Sequence, residues 1–406
     1  MYNLHLSAEQ IEIRDTVRDF VAREVKPVAL AAQRLDACDR RLLADVLNKA
    51  SQMGLRTLAL PEELGGAGAD TLTCCIVTEE LAVGDTDLAA VLAETSTLAG
   101  TLFSRMTQEQ RDRFLPQFLE DDRYQLAWAS HEPETDTAVG VNYHRPAAIG
   151  VNLETTAARN GDDWVVNGVK RCVANAPIAK LFAVEAGIEG GGSGTVLIPH
   201  DAPGLTVREH DEGRRWYHGA CGEVTFKDCR VPADSLLGGQ GPRTAVAGRG
   251  SPQFQALNLG VGRAAYEAAL DYAQLRVQGG RRIIEHQAIG TKLAEVAVKL
   301  EVARNAIWKA AWAADHPDAY ADHSLADLPL QTIAQVFTSE AIFEAAKQAA
   351  ECFGAMGVMR DMPLQKYVQD ARICLHTGPG NGDAKLRIAE ALTGYRRPAA
   401  SALAAE

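Results

Sequence analysis

Cysteine can attack, bridge or ligate a metal, and this chain carries eight: Cys38, Cys74, Cys75, Cys172, Cys221, Cys229, Cys352 and Cys374. None stands in CxxC or CxxH spacing, so the set forms neither a zinc site nor a secreted disulfide framework. They read as the reduced thiols of a cytosolic protein. Among other titratable groups, His131 stands alone, and a lone histidine is more often packed or at the surface than in contact with a cofactor. Asp383 precedes the helical run 385–392 and reads as an N-cap or first-turn acid in preference to a catalytic one.

The balance of charge narrows the partners. Asp and Glu total 53 against 41 Lys and Arg, a formal charge of −12. No basic tract is present to neutralise phosphates, which argues against a nucleic-acid binder. A small anion is still allowed, since a few local arginines can bind phosphate on an acidic protein. The N-terminus shows no charged segment followed by an apolar one, so no signal peptide is expected. No uncharged apolar run approaches the ~18 residues of a membrane span. The expectation is a soluble cytoplasmic protein.

The elements that must position any site fall into three textures. With 406 residues, 47% hydrophobic and 23% charged, the chain is an ordinary globular one of two or three domains. In the first third, Ser7 and Gln10 make a capping box, and Ile13, Val17, Phe20, Val21 and Val25 follow at helical spacing towards Pro27. Residues 61–68 break the pattern with loop chemistry, and helical patterns return over 78–83 and 108–119. From about 125 to 240 the texture is β. A turn at 160–163 separates two strand-like runs, 191–194 form a second turn, and 222–226 read as a strand closed by Val231 and Pro232. From about 253 to 395 helix returns. Leu293, Val296, Leu300, Ala303 and Ile307 form one apolar stripe that reads as core packing, and a Pro- and Asp-rich stretch, 314–330, precedes the next helix.

Four segments in order resemble the acyl-CoA dehydrogenase family. They are the loop 61–68 (PEELGGAG); the hairpin 161–170 (GDDWVVNGVK) with 226–232 (FKDCRVP); the stretch from Tyr272 through Arg276 to Ile289; and the run from Gly354 to Ile373. The resemblance spans nearly the whole chain. It implies an α+β fold with an N-terminal α-helical domain (1–124), a middle β-barrel or sandwich domain (125–240) and a C-terminal four-helix bundle (241–406). It also implies FAD-dependent oxidation of an acyl-CoA thioester. There a carboxylate removes the α-proton, the β-hydrogen leaves as hydride, and backbone amide and ribityl hydroxyl hold the thioester oxygen.

Carried over position by position, the resemblance places Arg276 at the FAD diphosphate across a subunit interface. Gln278 and Gly279 are the following contacts, and His286 and Gln287 lie near the adenine end. The turn opened by Gly354 could bring backbone close to the diphosphate, because glycine has no Cβ in the way. Glu351 stands where the family has Gln, and a carboxylate facing phosphates counts against ordinary FAD binding. In the flavin-side loop, Ser130 is a candidate cofactor contact, His131 stands where the family usually has a hydroxyl that bonds the flavin, and Thr137 replaces a Ser and keeps a hydroxyl. In the following strand Cys172 takes an aromatic position and Ala174 a hydroxyl position, so Ala174 cannot donate from its side chain.

The base is the largest departure. Ungapped alignment puts Gly378 at the family's catalytic glutamate and Gly250 at the alternative base position, and glycine cannot accept a proton. His376, at an apolar family position, reads as a packed histidine, and Asp383 is the other nearby titratable group. The Gly378 amide could still bind a thioester oxygen. Three readings follow. One is an acyl-CoA dehydrogenase-type enzyme, with electron-transfer flavoprotein or a similar acceptor, as a homodimer or homotetramer. Another is a non-catalytic half-site subunit of a heterotetramer acting on a bulky or steroid-derived acyl-CoA. The last is a desulfinase-type elimination that needs no α-proton removal.

Overall fold

The computed structural model describes residues 5–35, 41–132, 153–210, 216–238, 251–376 and 380–393. The chain opens with helix α1 (Ala8–Phe20), where Ser7 Oγ accepts the Gln10 N–H at 3.1 Å and Gln10 Oε1 accepts the Ser7 N–H at 3.0 Å. Pro27 does not end this helical path. A π turn (Val21–Val25) widens it, and it resumes as α2 (Lys26–Ala29) with Pro27 in the first turn. Proline lacks an N–H, and a wider turn before it absorbs the missing bond. Helices α3 (Ala44–Gln52), α4 (Thr71–Gly84), α5 (Thr86–Arg105) and α6 (Gln108–Glu120) complete the first helical layer. In α4 every residue from Thr73 to Gly84 is buried. A helix buried on every side belongs in the middle of a core, and α4 packs between α1, α5 and the later helices.

The glycine loop before α4 is built on close approach. Gly65 and Gly68 have φ of +88° and +58°, while Gly66 lies so near the Leu60 carbonyl that a Cβ there would overlap it. Backbone cannot retreat as a flexible side chain can. Gly66→Ala should therefore cost about 2 kcal/mol or more in urea unfolding, and an unchanged midpoint would show that this loop yields.

Seven strands follow: β1 (Gln125–Ala129), β2 (Thr156–Asn160), β3 (Asp163–Ala174), β4 (Ala179–Ile188), β5 (Ser193–Pro199), β6 (Leu205–Glu209) and β7 (Cys221–Pro232). They form one sheet in the order β1-β4-β2-β3-β7-β6, with β5 on β4. The anticipated hairpin is present, with Asn160 opposite Asp163 across a two-residue turn in which Gly161 has φ +62°. The second turn, near Gly191, joins β4 to β5. Trp164, Val166, Phe182, Val224 and Phe226 fill the sheet's core.

The last part is helical: α7 (Pro252–Leu275), a ribbon of β8 (Val277–Gln278) and β9 (Arg281–Arg282), then α8 (Gln287–Asp315), α9 (Asp318–Ala321), α10 (Leu330–Cys352), α11 (Leu364–His376) and α12 (Gly380–Thr393). The long helices α7, α8, α10 and α11 pack together. The stripe from Leu293 to Ile307 is buried among them, and so are Cys75 and Val83 of α4, so the two helical layers share a core. Where they meet, Glu79 and Glu80 of α4 are enclosed by Arg18, Arg263 and Arg304. Among the described residues no helix is long and apolar enough to cross a membrane, and no His, Cys, Asp or Glu cluster could hold a metal.

Candidate functional site at the junction of sheet and helices

Ser130 and His131 continue from β1, and the segment is bolted to β3 by a buried ion pair. Lys170 Nζ donates to Glu132 Oε1 at 2.8 Å and to the Ser130 carbonyl at 3.3 Å. Glu132 also accepts the Glu154 and Thr155 amides at 2.8 and 2.9 Å. Both side chains of the pair are fully buried. Burial pushes the Glu132 carboxyl up, but the bonds from Lys170, Thr155 and Glu154 outweigh it and hold the group below its usual value. The Arg171 amide donates to the His131 carbonyl at 2.9 Å, which fixes backbone at 131 and leaves the imidazole exposed. Thr137 lies outside the described residues.

β3 distorts where it reaches this segment. A bulge falls between Lys170 and Val173, with Cys172 at φ +54°. Ala174 closes the ladder opposite Cys221. Asn175 then turns the chain at φ +62°, and its buried amide donates to the Val91 and Leu126 carbonyls and to Thr95 Oγ1. Asn tolerates this conformation better than most residues. The sequence alone assigned no role to Asn175. Here it ties β3 to α5 and β1.

At the other end, Arg276 caps α7 and its amide donates to the Tyr272 carbonyl at 2.8 Å. Arg276 and Gln278 are exposed, and Gly279 and Gly280, both at positive φ, turn the ribbon. His286 braces it, with Nε2 3.0 Å from the Gln278 carbonyl and Nδ1 3.3 Å from Arg281 Nη2. Gln287 is the exposed first residue of α8. The Glu351 carboxylate is not a bare charge. Lys292 pairs with it and draws its pKa below the usual value, which weakens the objection that it would repel phosphates. Gly354, at φ +56°, opens a tight turn (Gly354–Val358) with nothing near its missing Cβ. A Cβ on Gly357, by contrast, would overlap the Ala350 carbonyl.

The base region is described in part. Gly250 and Gly378 lie outside the described residues, as does the Asp383 side chain. Helix α12 starts at Gly380, so Asp383 is a first-turn residue and not the N-cap. His376 ends α11 and is exposed, which corrects the expectation of a packed histidine. A buried set was missed: Asp87 of α5, His218 before β7, and Lys366, Asp370 and Cys374 of α11. Only the i,i+4 spacing of Lys366, Asp370 and Cys374 could have signalled a shared helix face. Asp87 and His218 join them by folding alone.

A helical part, a seven-stranded sheet and a second helical part in this order define one class of protein. Family models described as the acyl-CoA dehydrogenase N-terminal, middle and C-terminal domains match residues 7–122, 148–229 and 249–391. The chain is 30% identical over 372 residues to the short-chain specific acyl-CoA dehydrogenase, mitochondrial, of Bos taurus, covering 89% of this chain and 84% of that one. It is also 30% identical over 394 residues to the probable acyl-CoA dehydrogenase YngJ of Bacillus subtilis (strain 168), covering 94% and 97%. Among solved structures it is similar to glutaryl-CoA dehydrogenase from Mycobacterium smegmatis, with TM-score 0.80, 25% identity and 96% of each chain covered. The chain belongs to the acyl-CoA dehydrogenase family.

Proposed function

We propose that this chain is part of a flavin-dependent enzyme that oxidises an acyl-CoA thioester to its α,β-enoyl form. When bound, FAD would supply the hydride acceptor. Its residues fit that group in two respects: Arg276 offers an exposed cation one turn beyond Tyr272, which stacks on Phe353 just before the Gly354 turn, and Lys292 neutralises Glu351. Ser130, His131, Cys172 and Ala174 would border the flavin, in backbone held by the Lys170–Glu132 pair. The observation that carries this reading is the placement of Arg276. It projects from the end of α7 between exposed Leu275 and Val277, while Val298, Val302, Val358 and Met359 are also exposed on this helical part. Were these side chains to pack against another subunit, the arginine would serve a diphosphate shared with it. The electrons would pass on to an electron-transfer flavoprotein or similar acceptor.

A second reading is favoured by the residues that lack chemistry. Glycine at 378 and 250 gives no base, and Ala174 offers no hydroxyl. In that reading the chain is the half-site subunit of a heteromeric dehydrogenase, with Arg276 completing the partner's cofactor site. The absorption spectrum of the purified chain, alone and with a co-expressed related subunit, separates the two. Flavin at about one per chain in the lone homomer removes the half-site reading, and flavin only in the mixed assembly removes the homomeric one. Gly378→Glu in a flavin-bearing assembly is expected to raise acyl-CoA turnover about 100-fold, followed by dye reduction. Unchanged turnover would mean that the missing glutamate is not the defect.

A further inference from the structure

His218 lies buried between the sheet and two helices. Its Nε2 is 3.2 Å from the Asp370 carbonyl oxygen and 3.4 Å from Cys374 Sγ, both on α11. Its Nδ1 faces Asp87 Oδ1 of α5 at 3.9 Å, and that same oxygen accepts the neighbouring Gly219 amide at 2.9 Å. Asp370 in turn accepts from Lys366 Nζ at 2.9 Å and from Thr86 Oγ1 at 3.1 Å. One ring thus joins all three parts of the chain at the last turns of α11.

We propose that His218 is a positioning residue for the acyl-CoA end of the site. Helix ends fray unless something holds them. α11 ends at His376, two residues beyond Cys374. His218 supplies a donor to the Asp370 carbonyl, whose second lone pair is available beside its helical bond. Asp87 holds the chain beside the ring from the opposite side, its Oδ1 accepting the Gly219 amide at 2.9 Å. The Cys374 thiol is enclosed at 4% exposure, so it packs against the ring and reports on the joint without reacting. The consequence for turnover rests on the oxidation reading above; the joint itself does not.

Two readouts on the flavin-bearing assembly test this. The first is the rate of Cys374 alkylation by iodoacetamide, read by peptide mass spectrometry, with buried Cys75 as internal reference. His218→Ala and Asp87→Ala, which removes the acceptor of the Gly219 amide, should each expose Cys374 about tenfold faster with Cys75 unchanged, and His218→Gln, which keeps a donor, should restore most of the protection. The second is acyl-CoA kinetics, where kcat should fall about tenfold or more with KM nearly constant, because a small misplacement of reacting groups acts on the rate. Cys374 protection unchanged in both variants, or lost together with that of Cys75, overturns the joint. Protection lost at Cys374 alone with kcat unaltered overturns the positioning role. An assembly in which the unsubstituted protein turns over no acyl-CoA counts against the oxidation reading, and the alkylation rates then decide the joint.

Discussion

Lys170→Met should destabilise the protein by about 3–5 kcal/mol at neutral pH, because it strands the Glu132 carboxylate in the interior. Lys170 and Glu132 are both fully buried, and their bond is 2.8 Å long. The Glu154 and Thr155 amides remain as donors to the carboxylate, which places the effect towards the lower end of that range. The pH dependence has a definite sign. In the native protein Glu132 is held below the ordinary value of 4.5. Its contribution is therefore complete above that value and is lost as the pH falls through the folded one. In the variant the carboxylate has lost its cation, and burial then favours the protonated acid. The deficit measured by urea unfolding should accordingly shrink between neutral pH and about pH 5. Adding Glu132→Gln should recover part of it, since a neutral amide tolerates burial better than an unpaired charge. A deficit of equal size at both pH values, unrelieved in the double variant, would place its origin outside the pair. Because the same lysine holds the Ser130 carbonyl, flavin retention should fall as well, which the absorbance spectrum of the purified assembly would record.

Arg263→Met is the second large effect, at about 3 kcal/mol or more. Arg263 donates to Glu79 Oε1 at 2.8 Å and to Glu80 Oε1 at 2.9 Å, and also bonds Glu80 Oε2. Two adjacent carboxylates on a fully buried helix are tolerable only because three guanidinium groups surround them. With Arg263 gone, Glu79 keeps Arg304 and Glu80 keeps Arg18, yet their mutual repulsion and burial are no longer balanced. Burial pushes the Glu80 carboxyl up, while its bonds to Arg263 and Arg18 more than compensate and hold it below the usual value. This contribution too is lost on acidification. Arg263→Lys keeps the charge but not the planar fork that reaches both acids, so it should recover only part of the loss. Thermal unfolding at neutral pH would check the order wild type, Lys, Met. A lysine variant as stable as wild type would show that charge alone suffices.

Much of the molecule follows from local rules, and those parts were legible. The Ser7–Gln10 capping box, the two-residue turn after Asn160 and the Leu293–Ile307 stripe depend on residues close in sequence. Pro27 does lie near the end of that helical path, which a widened turn carries through the proline as far as Ala29.

The family motifs located candidate site positions one at a time, and the sequence by itself determined the order of helical, sheet and helical parts. It also determined the residue types at the positions that the resemblance assigns to the base and to the flavin-side hydroxyl: glycine at 378 and at 250, alanine at 174. Absence of a functional group is a property of the residue, and no folding supplies it. What only the tertiary structure decided is how charges are matched. Glu351 read as an unfavourable carboxylate until Lys292, far away in sequence, was seen against it. Glu132 with Lys170, Glu79 and Glu80 with their three arginines, and His218 with Asp87 and Asp370 all join distant segments. A buried charge or imidazole is stable only beside its partner. Partnership across tens or hundreds of residues leaves no periodic trace in the chain, because it is set by how the layers pack and not by the spacing within any one of them.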